Sequence, residues 1–159
     1  MSVTVTRVGD ADLGDLLPLM RGYCDFYDVH PSDEALLALS RTLIADPEHE
    51  GVQFIARDDD MPLGFATVYW LWSTSRAARV GLMNDLFTAP EARRRGVGEA
   101  LIAACLDAVR RRGAAVLQWQ TARDNHTAQA LYERVGGIRE EWYDYYLEPE
   151  PGLPASEGG

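Results

Sequence analysis

The sequence contains no lysine: all 15 basic residues among its 159 are arginines. Schiff-base chemistry needs a lysine amine and is removed by that absence. A Walker A phosphate loop and an S-x-x-K nucleophile go with it, since each needs Lys at a fixed place. Cysteine is nearly as scarce. Cys24 and Cys105 are the only two, and neither sits in a C-x-x-C pair. This argues against a disulfide framework and against a structural zinc site. His30, His49 and His126 show no metal-ligand spacing, so no metal is expected. No apolar run approaches the ~18–20 residues that cross a bilayer, so no membrane partner is expected either. Met1–Thr6 lacks the basic region and apolar core of a secretion signal, and the expectation is a cytoplasmic protein.

What is present is a core-forming composition. Hydrophobic residues make up 47% and charged residues 25%, which excludes a wholly disordered chain and fits one domain. The net charge of -10 is unevenly spread. Residues 1–88 carry -8, residues 89–139 carry +4, and residues 140–159 carry -6. The acidic total disfavours nucleic acid, whose binding is driven by phosphate neutralisation. A basic middle between acidic flanks suits an anionic cofactor and a cationic substrate. Acids that merely keep the surface soluble would give the same total.

Periodicity divides the chain into alternating elements. Val3, Val5 and Arg7-Val8 alternate with Thr4 and Thr6 as a strand over roughly 2–8. Leu13, Leu16, Leu17, Met20, Tyr23 and Cys24 recur at helical spacing after a cap at Asp10 or Asp12, and Pro31 ends that stretch. Ser32 caps a second helix, which Asp46-Pro47 ends. Residues 52–56, 63–72, 80–88, 114–120 and 141–147 read as strands. Residues 98–112 and 125–135 read as helices, the former stopped by Gly113 and carrying Cys105 on its core stripe. The order β-α-α-β-β-β-α-β-α-β describes an α/β domain with a mixed sheet. It spans residues 1–148, and the Pro/Gly/Glu-rich residues 149–159 read as a disordered tail.

Chemistry concentrates in N-D-L-F-T-A-P-E-A-R-R-R-G-V-G, residues 84–98. A strand enters an Arg- and Gly-rich turn that opens a helix. Unpaired N–H groups and the helix dipole favour an anion there, Gly96 and Gly98 allow close approach, and Arg93, Arg94 and Arg95 add charge. A dinucleotide fingerprint would need a third Gly at position 101, which is Leu101.

R-R-R-G-V-G at 93–98 resembles the R/Q-x-x-G-x-G/A signature of the Gcn5-related N-acetyltransferases (GNAT). Asp124-Asn125, then Ala128-x-x-Leu131-Tyr132-Glu133 and Gly136-Gly137, are similar to that family's second conserved segment. The resemblance covers roughly residues 3–148. It implies a central mixed, mostly antiparallel, twisted sheet of six to seven strands flanked by about four helices. Tyr23-x-x-Phe26-Tyr27, Gly64-Phe65-Ala66, Asp85-Leu86-Phe87 and Glu141-Trp142-x-x-Tyr145-x-Leu147 are most similar to the diamine/polyamine (spermidine/spermine) branch.

The resemblance implies acetyl-CoA as cofactor and a primary amine, in this branch a small cationic one, as acceptor. Leu86, Phe87 and Thr88 correspond to the strand that pairs with the pantetheine arm. Arg93, Arg94, Arg95, Gly96, Val97, Gly98 and Glu99 correspond to the diphosphate loop. Asn125 matches a residue that helps hold the cofactor arm, and Tyr132 matches the general acid that protonates departing CoA. A strand N–H polarises the thioester carbonyl, and attack is direct, with no covalent enzyme intermediate. Asn125 and Tyr132 lie seven apart and so share a helix face, although that spacing equally suits a core aromatic. Tyr23, Phe26, Tyr27 and Asn84 are the acceptor-side candidates, with Trp70 and Trp72 as further wall. The resemblance also suggests a homodimer.

Departures concern the acceptor. The polyamine branch has Glu-Asp where this chain has Asn84-Asp85, and Asn84 cannot ionise. Asp85 is left as base or amine anchor, or as a structural acceptor, with His30 as a second candidate base. Ala122-Arg123-Asp124-Asn125 and Gly136-Gly137-Ile138 also differ from the branch. A protein or peptide N-acetyltransferase and a non-catalytic acetyl-CoA-binding module are the alternatives.

Overall fold

A computed structural model describes residues 2–150. Five strands form one sheet in sequence order: β1 (Val3–Arg7), β2 (Gly51–Asp58), β3 (Met61–Ser73), β4 (Ala78–Thr88) and β5 (Leu117–Gln118). The first four pair antiparallel, and β5 joins β4 in parallel. Four helices complete the architecture: α1 (Leu13–Phe26), α2 (Asp33–Ala45), α3 (Val97–Arg112) and α4 (His126–Arg134).

The helices form for local reasons that the spacing anticipates. Leu13, Leu16, Met20 and Cys24 make the buried stripe of α1. Ser32 Oγ accepts from Ala35 N at 3.1 Å and caps α2. Gly113, at φ 71°, ends α3 in the left-handed conformation. The start of α1 differs from expectation. Asp12 Oδ2 accepts from Gly9 N at 2.8 Å, and a 3₁₀ turn over Asp10–Asp12 leads into the helix without a side-chain cap.

Strand alternation sends side chains to two helical layers. Ile55, Phe65 and Thr67 face α1 and α2, where Met20 and Ser40 meet Gln53. Ala66, Val68 and Trp70 take the other face, where Trp70 and Val109 of α3 crowd Gly81. Full burial of Leu16, Ile55, Phe65 and Leu101 contributes about 1.5–3 kcal/mol each. Gly64 is demanded by the β3–β4 contact, since a Cβ there would stand 2.4 Å from the Phe87 carbonyl oxygen.

Two expectations are corrected. Among the described residues the sheet has five strands, not six to seven, because residues 141–147 join no ladder and the strand expected over 114–120 narrows to Leu117–Gln118. Ala115 N still donates to Arg79 O and Gly81 N to Val116 O, so the approach to β5 runs along β4 before the two diverge. An edge strand with one neighbour has half its ladder, and a segment with none has no ladder. Of the expected disordered tail, residues 151–159 lie outside the described residues.

Candidate active site

The β3–β4 register shifts within the site. Thr67 faces Asp85 and Val68 faces Met83, so Asn84 is the extra residue of a β-bulge. A bulge bends its strand and re-aims the side chains beside it. Asn84 Nδ2 donates to Asp85 Oδ1 at 2.9 Å, and Tyr23 Oη donates to the Asn84 carbonyl at 3.2 Å. Asp85, Thr67 and Gln53 lie in one row across three strands, and Gln53 Nε2 donates to Thr67 Oγ1 at 3.1 Å.

Aromatic rings surround this row on the α1 side. Tyr23 packs on Tyr27 at 5.0 Å and edge-on to Phe65 at 6.0 Å, and Phe26 packs edge-on to Tyr27 at 5.1 Å. Burial, and then the Asp85 carboxylate, push the phenols of Tyr23 and Tyr69 above the ordinary tyrosine range. Phe26 and Tyr27 are more than half exposed and form the rim. Four of the expected acceptor-side residues, Tyr23, Phe26, Tyr27 and Asn84, are therefore brought together with Asp85. Trp70 is not among them. It is buried on the α3 face, with Nε1 donating to Pro47 O at 2.8 Å. Trp72 lies exposed at the far end of β3 under the Arg79 guanidinium. His30 is exposed and pairs with Asp28 at 3.2 Å.

The second half of the site is a gap. β5 pairs with β4 only at Gly81 and Leu82. Among the described residues, Met83 and Asp85–Thr88 keep their β3 partners, and Met83–Thr88 have no strand neighbour on the other edge. Phe87 turns its ring onto Gly22 of α1 and Phe65, so its backbone is what faces the gap. Beyond Thr88 the chain turns through Pro90–Ala92 into the Arg loop. Arg94 at φ 65° and Gly96 at φ 78° are both left-handed, an arrangement that costs a non-glycine residue ~1–2 kcal/mol. Arg93, Arg94 and Arg95 are exposed, whereas Val97 is buried and has only its N–H to offer. Glu99 pairs with Arg134 at 3.3 Å. Gly98 also serves packing, since a Cβ there would stand 2.8 Å from Leu131 Cδ2.

Helix α4 stands beside the start of α3, with Leu131 against Gly98 and Arg134 paired with Glu99. Asn125 Oδ1 accepts from Ala128 N at 3.2 Å, making Asn125 the helix cap. Tyr132 stacks edge-on to Trp119 at 5.3 Å, and burial, then the Tyr27 phenol, raise its pKa. It stays protonated at neutral pH. Tyr69, Thr67, Gln53 and Trp119 escape sequence reasoning. Alternation along 65–69 puts Phe65, Thr67 and Tyr69 on one face, but only the strand register brings Asp85 to that face.

An extended chain carrying a diphosphate fits this gap. It has an unpaired strand edge for amide pairing, a helix N-terminus with free N–H groups, and three arginines for the anion.

Residues 17–137 match the family model described as Acetyltransferase (GNAT) family. The chain is 28% identical over 144 residues to an uncharacterized N-acetyltransferase, YhfO, of Bacillus subtilis (strain 168), covering 91% of this chain and 95% of that protein. A second relative, the uncharacterized N-acetyltransferase MJ1207 of Methanocaldococcus jannaschii, is 24% identical over 135 residues, or 84% of this chain and 59% of that one. Among solved structures, a probable acetyltransferase superposes with TM-score 0.79 at 26% identity, over 94% of this chain and 99% of the other. The aminoglycoside N-acetyltransferase AAC(6')-Iy, solved with a CoA-linked bisubstrate analogue, superposes with TM-score 0.82 at 22% identity, over 93% and 99%. The chain belongs to the GNAT acetyltransferase family. It is an acyltransferase with that family's α/β fold.

Proposed function

We propose that this enzyme transfers an acetyl group from acetyl-CoA to the primary amine of a small cationic molecule. The observation that carries the reading is the meeting of two unlike surfaces at β4. Its unpaired edge and the Arg loop suit an anionic cofactor, while Asp85 at the bulge, flanked by Tyr23 and Tyr69 with Tyr27 packed on Tyr23, suits a cation. Two structural neighbours, at identities that carry the fold alone, are aminoglycoside acetyltransferases. The polyamine-like acceptor remains part of the proposal through Tyr23, Phe26, Tyr27 and Asp85.

Acetyl-CoA, when bound, supplies an activated acetyl thioester. Leu86, Phe87 and Thr88 would hold its amide-bearing arm through backbone groups. Arg93–Glu99 would hold the diphosphate through N–H groups and guanidinium charge, with the Asn125 turn beside it. Asp85 draws the cationic acceptor inward and receives the amine proton, while Asn84 holds one carboxylate oxygen in place. Tyr132 Oη holds the proton that the leaving sulfur needs. The catalytic unit spans residues 1–148, acts in the cytoplasm and assembles as a homodimer. Among the described residues no helix is long and apolar enough to cross a membrane.

A peptide acceptor is the second reading, favoured by the open rim at Phe26, Tyr27 and Val29. Acetyl-CoA-dependent release of CoA thiol across polyamines, aminoglycosides, amino acids and short peptides separates them. Preferential turnover of one small cationic amine supports the proposal. Turnover of peptides alone transfers it to the second reading, and silence with acetyl-CoA still bound points to a binding module.

A further inference from the structure

Among the described residues the buried polar side chains are few, and they are adjacent. Ser40, Gln53 and Thr67, at 0%, 3% and 0% exposure, meet in one group beneath α1 and α2. Gln53 Nε2 donates to Thr67 Oγ1 at 3.1 Å. It also lies 3.8 Å from Met20 Sδ, the sulfur to which Ser40 Oγ donates at 3.6 Å. A thioether can only accept, so the sulfur keeps the nitrogen of the Gln53 amide, and not its oxygen, on this side. Gln53 Oε1 is left buried with no partner. An orphaned buried acceptor is destabilising, and an apolar pair of the same shape in place of Gln53 and Thr67 would avoid it. Side chains held in a core against its stability point to a role other than packing.

The other end of this row is the reacting site. In the strand register Gln53 faces Thr67, and Thr67 faces Asp85. Side chains directly opposite have Cβ atoms about 4.5–5.5 Å apart, close enough for a hydroxyl on one to reach a carboxylate on the other. Thr67 is β-branched, so its χ1 is restricted and its hydroxyl keeps one direction. Once Thr67 Oγ1 has accepted from Gln53, its single hydrogen is left to give. Asn84 Nδ2 already holds Asp85 Oδ1 at 2.9 Å. We propose that Thr67 is a positioning residue for acetyl transfer: oriented by Gln53, its hydroxyl donates to Asp85 Oδ2 and, with Asn84 on Oδ1, holds the carboxylate toward the incoming amine. The inference rests on the reading of Asp85 as proton acceptor. A bond to a charged acceptor is stronger than one between neutral groups. A carboxylate held at both oxygens keeps its reacting geometry, whereas one held at a single oxygen can turn away from the amine.

Steady-state kinetics with acetyl-CoA and the amine turned over fastest in the panel above, combined with thermal melting, tests this. Thr67→Val keeps the shape of the side chain and removes the hydroxyl. Its kcat/KM for the amine should fall about 10–100-fold, the scale of one hydrogen bond to a charged group, with acetyl-CoA affinity by calorimetry unchanged. Thr67→Ser should restore most of the loss. Gln53→Met combined with Thr67→Val removes donor, acceptor and orphan together. That double variant should melt no lower than the native chain and stay as impaired as Thr67→Val alone. On an Asp85→Asn background Thr67→Val should cost nothing more, because it acts through the carboxylate. A loss that Thr67→Ser does not restore, that persists at full size on Asp85→Asn, or that follows a fall in the melting temperature of the double variant reduces Thr67 to packing and overturns the inference. Native kcat/KM in Thr67→Val beside an impaired Asp85→Asn also overturns it and leaves the reading of Asp85 standing. Native kcat/KM in Asp85→Asn overturns that reading and the inference with it.

Discussion

Tyr23 Oη donates to the carbonyl oxygen of Asn84 at 3.2 Å, a bond that ties α1 to the bulge of β4 across 61 residues of sequence. The bulge leaves the Asn84 carbonyl without a regular ladder role, and the phenol supplies a partner. Tyr23→Phe should lower stability by about 0.5–1.5 kcal/mol. The acceptor KM should rise more than kcat falls, because the bond positions Asp85 without touching the cofactor edge. Urea unfolding and steady-state kinetics read the two effects separately.

Asp85→Asn keeps the shape of the side chain and removes its charge. The expected loss in kcat/KM is about 10²–10⁴-fold, the usual scale for a proton acceptor held at the reacting group. Acetyl-CoA affinity by calorimetry should be unchanged. An equal loss in that affinity would place Asp85 in the framework of the cofactor gap instead.

Tyr132→Phe should lower kcat about 10²–10⁴-fold with acetyl-CoA binding preserved. Burial raises the Tyr132 pKa above the ordinary 10.0, so the native enzyme should not lose this proton donor below pH 10. An alkaline limb of kcat near neutrality that vanishes in Tyr132→Phe would contradict this.

Burial and Asp85 raise the phenol pKa values of Tyr23 and Tyr69 in the folded state. Such groups contribute their stability fully below the unfolded value near 10 and lose it as pH rises toward the folded value. Urea midpoints should hold between pH 8 and about 10 and then fall. Tyr69→Phe should flatten that fall.

Gly64→Ala should destabilise the protein by about 1–3 kcal/mol. The new Cβ would meet the Phe87 carbonyl oxygen at 2.4 Å, and a backbone atom inside a paired strand cannot swing aside. Because Phe87 belongs to the unpaired β4 edge, acetyl-CoA binding should weaken as well. Thermal melting with and without acetyl-CoA measures both.

Which parts of this molecule are legible in one dimension follows from how far apart their determinants lie. The helices are readable because their signals sit within a turn or two: the stripe of α1, the Ser32 cap, and Gly113 at a left-handed stop. The Arg loop is readable for the same reason, since Arg93–Gly98 places charge, tight turns and free N–H groups in six residues. Asn125 is singled out by motif, and its position as the cap of α4 adds a local role that the motif does not state. Tyr69 is not readable. Its meeting with Asp85 depends on the β3–β4 register, which turns on one extra residue at Asn84. Trp70 misleads, because neighbouring aromatics in a run such as GFATVYWLW alternate faces and composition does not say which face carries the acceptor.

By itself the sequence determined the element order as far as α4, the apolar stripes of the helices, the anion-binding turn and the absence of lysine chemistry. These are set by side-chain spacing and by backbone preferences of nearby residues. Only the tertiary structure decided which strand edge stays open, how the bulge aims Asp85 toward the phenols of Tyr23 and Tyr69, and that residues 138–148 stand unpaired beside β5. Those are relations between segments distant in the chain, and pairing register, splay and exposure exist only once the segments are side by side.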